Sequence, residues 1–183
     1  MPSVGHLAVG LAAGRWRAAE GPRLRVTIAF TFLALFPDAD VLTGSRGGAA
    51  GSPWLHRGAS HSLIAAAVAA LVVSLILEGR RLRAGTLAAA FLTAASHGVL
   101  DTLTHGGAGV MLLWPFSHAR WLAPWAPVPA SPMGARLFSA HGLLLMAREL
   151  VLFAPLALYA LWPRPRRRVT APLGVDDSSP PIG

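Results

Sequence analysis

The 183-residue chain contains no cysteine. That excludes disulfides, thiolate metal sites and a cysteine nucleophile. It contains no lysine either, so all 16 basic side chains are arginine. Charge of either sign is scarce: 13% of residues are charged, about half the share of a soluble domain. These absences exclude a disordered chain, a coiled coil and a charge-rich nucleic-acid binder. The length allows one domain or a small bundle and excludes a multidomain enzyme. What is abundant is apolar: 54% of the residues are hydrophobic, with a mean hydropathy of +0.52. A net charge of +8 ordinarily points to nucleic acid. Here the arginines lie in short segments between apolar runs, so no nucleic-acid partner is expected. Composition and pattern together predict an all-α integral membrane protein.

Four stretches approach the roughly 20 residues that a membrane helix needs. They cover residues 24–42, 61–78, 84–104 and 143–162. A shorter apolar piece, residues 4–14, precedes them. It lacks the basic start of a signal peptide, and at about 16 Å it reads as a half-helix tucked against the bundle. The arginines set the expected topology. Arg15, Arg17, Arg23 and Arg25 precede the first span, Arg80, Arg81 and Arg83 separate the second from the third, and Arg164, Arg166, Arg167 and Arg168 follow the fourth. The positive-inside rule makes that side cytoplasmic. Arg46, Arg57, Arg120, Arg136 and Arg148 are scattered through longer segments. Trp16 and Trp162 fall at the inner boundary, and Trp54, Trp114, Trp121 and Trp125 in the outer segments, as interfacial tryptophan often does. The long outer loop, residues 106–140, is rich in Pro, Gly and Trp and suits a lid on the membrane surface. The expected domains are a membrane-embedded unit over 1–162 and a disordered cytoplasmic tail over 163–183.

With this topology the ionisable residues converge near the outer face. Asp38 and Asp40 lie at the outer end of the first span, and His56 and His61 flank the start of the second. His97 and Asp101 sit in the outer third of the third span, and Glu149 in the outer part of the fourth. His6 joins the same level if the half-helix descends toward Arg15. His97 and Asp101 are spaced i, i+4 and share a helical face. An ionisable group within a membrane is costly and needs a partner or a wet cavity. Eight at one depth are better explained by a site than by accident. Imidazoles with carboxylates suit Zn, Mn, Fe or Ni, carboxylate enrichment leaves Mn or Mg open, and the lack of cysteine removes soft-ligand options.

Each piece also has a structural reading. FPDAD suits a helix end, HRGASHS a helix start with Ser60 as cap, and His97/Asp101 a buried hydrogen bond. Arg148 and Glu149 could neutralise each other. For His105, His118 and His141 a solvated loop position is the expected reading, with His105 the best placed of the three because it continues the 97/101 face.

Four motifs carry a family resemblance. They are Gly5-His6, PDAD at 37–40, HRGASHSL at 56–63 and SHGVLDTLTHGGAGVMLLWP at 96–115. Together with Glu149, over residues 5 to about 155, the chain resembles the LexA-regulated, membrane-bound, metal-dependent hydrolases (YdjM-like). The resemblance implies a site made of His6, Asp38, Asp40, His56, His61, His97, Asp101 and Glu149, and a hydrolytic activity class with no fixed substrate. The chain order also has a fainter likeness to zinc-dependent phospholipases C and nucleases. Those carry a second histidine one turn before the late acid, where this chain has Leu145.

The expected arrangement is one or two divalent ions, zinc foremost and manganese next, held by His6, Asp38, His56, His61, His97 and Asp101. Whichever of Asp38, Asp40 and Glu149 is not a ligand serves as general base, and Arg57 faces an anionic transition state with the fork that suits phosphate. The expected substrate is a lipid or lipid-linked phosphodiester entering from the outer leaflet of a bacterial inner membrane. The rivals are an ion- or proton-coupled transporter and a non-catalytic metal-binding scaffold. Against transport, the inner halves of the spans read as Ala, Leu and Val. The partners expected are membrane lipids, and nothing in the chain specifies an oligomeric state.

Overall fold

The computed structural model describes residues 3–18, 23–41, 51–105, 107–130 and 134–163. Arg46, Arg164, Arg166, Arg167, Arg168 and all but the first residue of the expected tail lie outside the described residues. The described chain is mostly helical. Its α-helices are α1 (Ser3–Arg17), α2 (Arg23–Leu35), α3 (Leu63–Glu78), α4 (Ala84–Thr102), α5 (Ala140–Leu152) and α6 (Ala154–Leu161). The expected half-helix is therefore longer than 4–14: α1 has 15 residues, about 22 Å.

The expected spans map onto α2 with its extension, α3, α4, and α5 with α6. Among the described residues, however, no single helix is long and apolar enough to cross a membrane. The causes are local. At Phe36 α2 gives way to a 3-10 helix, Phe36–Val41, because Pro37 offers no N–H and biases the residue before it away from the α region. The polar residues His97 and Asp101 occupy the C-terminal part of α4. α5 and α6 together reach the required length and apolarity but bend by 69°. Pro155, in the first turn of α6, cannot donate to the carbonyl one turn back. α3 starts at an N-cap, but the cap is Ser62 and not Ser60: the Ser62 hydroxyl accepts from the Ala65 amide at 3.1 Å.

The packing places small residues inside and large ones outside. Ala66, Ala70 and Ser74 of α3 face the core with Ala89, Ala90 and Ala94 of α4. Val68, Leu71, Val72, Leu75 and Ile76 of α3 point outward and are exposed. Small residues at helix contacts are how membrane helices approach closely where lipid supplies no hydrophobic drive. α1 lies along α2 through a Gly10-x-x-x-Gly14 stripe. A Cβ on Gly10 would come within 2.7 Å of the Thr31 Cα, and one on Gly14 within 2.7 Å of the Thr27 Cα.

The bundle is polarised end to end. At one end Arg17 donates to the Thr86 hydroxyl and lies 3.7 Å from Glu78. Arg25 reaches the Ile76 carbonyl, and Arg15 reaches the Ala160 and Trp162 carbonyls beside the Tyr159 ring. The histidines and aspartates gather at the other end. Across that end run residues 107–130, with a short parallel pair of β1 (Thr104–His105) and β2 (Val128–Pro129) and a bridge between Val110 and Trp121. It is tied to the start of α3 by two backbone bonds, Met111 N–H to the Arg57 carbonyl and Leu63 N–H to the Leu112 carbonyl, both 3.0 Å.

Candidate metal centre

Five elements deliver the site residues. α1 brings His6, and the 3-10 extension of α2 brings Asp38 and Asp40. The turn before α3 brings His56, Arg57, Ser60 and His61; α4 brings His97 and Asp101; α5 brings Glu149. Gly98 makes room for this convergence: a Cβ there would collide with the His61 carbonyl.

Candidate ligand atoms lie within 4.8 Å of one another in two sets, Asp38 with His56, His61 and Asp101, and His6 with His97 and Asp101; His61, His97, Asp38 and Asp101 form the inner set, whose nitrogen–oxygen contacts join the two. His61 Nε2 lies 3.7 Å from Asp38 Oδ1 and 3.5 Å from Asp101 Oδ2. His97 Nε2 lies 3.4 Å from Asp38 Oδ1 and 3.9 Å from Asp101 Oδ2. Both nitrogens are buried and have no hydrogen-bond partner. These separations are too long for good hydrogen bonds, yet they nearly match the edges of a coordination shell. Two donors each about 2.0–2.1 Å from a tetrahedral ion lie about 3.3–3.4 Å apart. The His61 and His97 rings meet edge to face, with centroids 4.8 Å apart and planes at 71°.

The far side of each ring is already held. His97 Nδ1 donates to the Ala34 carbonyl at 2.7 Å. His61 Nδ1 is engaged by the Ser60 hydroxyl at 2.9 Å and by Asp40 Oδ2 at 3.4 Å. Proton-bearing Nδ1 atoms leave both Nε2 lone pairs facing inward, and this outer support is what orients metal-binding histidines.

Asp40 is one of the carboxylates expected as general base. Its two oxygens serve His56 Nδ1 at 2.9 Å, Ser60 at 2.7 Å and His61. It therefore holds two histidines in position. His56 is the most accessible histidine of the group, with 26% of its side chain exposed, and a nitrogen of it lies within 4.8 Å of ligand atoms of Asp38, His61 and Asp101. Arg57 is buried, and its Nε lies 3.3 Å from Asp101 Oδ2. Its backbone is left-handed, at φ 65°, a strained state for a residue with a side chain. Its Nη1 has no partner and packs against Gly107, where a Cβ would collide with it.

His6 and Glu149 are 1% and 2% exposed. Neither the His6 nitrogens nor the Glu149 oxygens have a hydrogen-bond partner. His6 Nε2 lies 3.4 Å from Asp101 Oδ1. Arg148 is exposed, and among the described residues no ion pair joins it to Glu149. His105, His118 and His141 are exposed, and His105 donates to the Ala126 carbonyl at 3.0 Å. Leu145 is buried.

Sequence reasoning missed three supports. Ser60 orients Asp40 and His61. The Ala34 carbonyl has no side-chain signature at all. Arg120 ties the 107–130 segment to the histidine turn through the carbonyls of Ser52 at 3.3 Å, His56 at 3.4 Å and Gly109 at 3.2 Å. The signal available for Arg120 was an arginine with no acidic residue near it in sequence.

The family model described as YdjM inner membrane protein matches residues 1–172. The inner membrane protein YbcI of Escherichia coli (strain K12) is 40% identical over 157 residues, which cover 82% of this chain and 90% of that relative. No solved structure matches the chain.

Proposed function

This chain belongs to the YdjM inner membrane protein family, and from that premise we propose that it is a metal-dependent hydrolase of the bacterial inner membrane. The observation that carries the proposal is the inner set of His61, His97, Asp38 and Asp101. Their four nitrogen–oxygen separations are 3.4–3.9 Å, and both rings are braced from behind. Buried, unpartnered ring nitrogens of this kind are costly without a bound partner, and a nitrogen–oxygen set without sulfur suits zinc first and manganese next. A divalent ion there supplies Lewis-acid chemistry and lowers the pKa of water toward ~7.

The chain's own residues do the rest. His56, anchored through Nδ1 to Asp40, is accessible and close to the inner set, so it is placed to take a proton from water. With Asp40 engaged by three partners, this reading favours the His56–Asp40 pair as the base. Arg57 offers an unpartnered N–H beside the centre, which favours an anionic group such as a phosphodiester. The arginine-rich end faces the cytoplasm, with the C-terminus on that side, and the centre faces outward. A membrane lipid or lipid-linked phosphodiester is the substrate class that this position and this donor favour. The outward-pointing apolar residues of α3 support the four-span reading with lipid around the bundle.

The test is metal content and lipid-pool hydrolysis on detergent-purified protein. Wild type is expected to hold stoichiometric metal and to turn over a lipid. His97→Ala/Asp101→Ala is expected to lose both while keeping its helical circular dichroism. His56→Ala is expected to keep the metal and lose turnover. Metal loss in His56→Ala would make it a ligand. Ion flux in proteoliposomes without hydrolysis would favour the transporter.

A further inference from the structure

The end of the bundle away from the histidines is drawn together by a few polar contacts. Arg25, in the first turn of α2, donates to the Ile76 carbonyl of α3 at 2.5 Å. Glu78, the last residue of α3, accepts from the Thr86 hydroxyl of α4 at 2.6 Å and from the Arg83 amide at 2.8 Å. Arg17, the last residue of α1, lies 3.7 Å from it. The end of α1, the start of α2 and the turn between α3 and α4 therefore share one face.

Two kinds of arginine occupy that face. Arg15, Arg17 and Arg25 are bonded to the protein itself. Arg23, Arg80 and Arg81 are exposed, and among the described residues none of them makes a hydrogen bond or an ion pair. They flank the contacts that build the face: Arg23 stands just before Arg25, and Arg80 and Arg81 lie between Glu78 and Arg83. The protein offers them no anion. Among the described residues Glu78 is the one acid at this end, and it is already engaged by Thr86, Arg83 and Arg17. Helix stability does not call for Arg23 either. The first turn of α2 holds no acid, and there the helix dipole favours an acid and opposes a cation. Arg25 is relieved by the Ile76 carbonyl, and Arg23 is not. Beside these arginines Leu24, Ile28, Ile76 and Leu82 are exposed.

We propose that this face binds anionic phospholipid, with Arg23, Arg80 and Arg81 on the headgroup phosphates and the neighbouring apolar residues along the acyl chains. The guanidinium fork matches phosphate geometry, and basic clusters beside membrane helices attract anionic headgroups. The exposed apolar residues select a lipid over a free phosphate. The proposal goes beyond the hydrolase reading and does not depend on it, since the candidate metal centre lies at the other end.

The experiment mixes full-length protein in detergent with phosphatidylglycerol or phosphatidylcholine and measures retained lipid by native mass spectrometry. Wild type is expected to favour phosphatidylglycerol. Arg23→Gln/Arg80→Gln/Arg81→Gln is expected to bind it on the order of 100-fold more weakly, because one basic side chain near the headgroups contributes about 5-fold. Arg81→Gln alone is expected to lose about 5-fold, which keeps the test open if the triple variant fails to fold. Arg148→Gln, which removes one exposed arginine beside Glu149, is expected to change nothing. Equal retention of the two lipids by wild type, an undiminished preference in the variants of this face, or an equal loss in Arg148→Gln would overturn the proposal. Loss of the preference in His97→Ala/Asp101→Ala would move the lipid to the metal centre and overturn it as well.

Discussion

The Asp40 carboxylate accepts from His56, Ser60 and His61, so it acts on the proposed ion only through its neighbours. Asp40→Asn keeps the size of the side chain but replaces one acceptor with a donor, and His61 loses the carboxylate that favours its Nδ1-protonated form. Zinc affinity, measured by competition with a chromophoric chelator, is expected to fall about 10–100-fold, the usual cost of losing an outer-shell partner. An unchanged affinity would mean that Ser60 alone orients His61. At this scale the sequence was informative wherever a residue was improbable in its surroundings. His6, His97, Asp101 and Glu149 stood out because ionisable groups are expensive in apolar helices, and all four are buried at one end of the fold. Asp38, Asp40, His56 and His61 meet them there. Ser60 did not stand out, because a serine before a helix suits capping equally well. The cap proved to be Ser62.

Among the elements, α1 and its contact with α2 bear on the site most directly, since α1 carries His6. Gly10 and Gly14 let the two backbones approach closely. Gly14→Leu is expected to lower the stability by about 1–3 kcal/mol, the range for overpacking a tight contact, and to lower the thermal midpoint in detergent. Because α1 delivers His6, the same variant is expected to weaken metal retention. His105→Ala, an exposed loop change, is expected to move neither. α2 and the α5–α6 pair show why element boundaries were read less well than element identities. An apolar run does not reveal where a backbone stops being α-helical. Pro37 and Pro155 were visible in the sequence, but how sharply the chain turns at each depends on what packs against it. At Pro155 the turn is a 69° bend.

For the whole molecule, the separation of Arg15, Arg17 and Arg25 from the histidine–aspartate end is the property that organises the rest. The natural absence of cysteine makes the proposed orientation directly testable. Single Arg81→Cys and Phe116→Cys variants place one thiol at each end of the bundle, both at exposed positions. In intact cells an impermeant maleimide is expected to label Phe116→Cys and to spare Arg81→Cys until the membrane is opened. The reverse pattern would turn the centre toward the cytoplasm. Chelation is expected to lower the thermal midpoint of wild type, because an ion that binds only the folded state stabilises it. A midpoint indifferent to chelator after full zinc loading would remove the ion from the folded state's support.

Helical class and apolar character were determined by the sequence alone, and so was which ionisable residues were improbable enough in their surroundings to be expected in a site. Each depends on composition and on short-range spacing, which a linear chain displays. Which oxygen faces which nitrogen was decided only by the tertiary structure. The four helices, the 3-10 turn and the outer loop had to be assembled before the His6–His97 stack, the division of Asp101 between two imidazoles and the Asp40 link from His56 to His61 existed. The physical reason is that coordination depends on directions between side chains distant in sequence. Those directions are set by close approaches such as Gly98 against the His61 carbonyl and by backbone acceptors such as Ala34, which carry no chemical mark in the sequence.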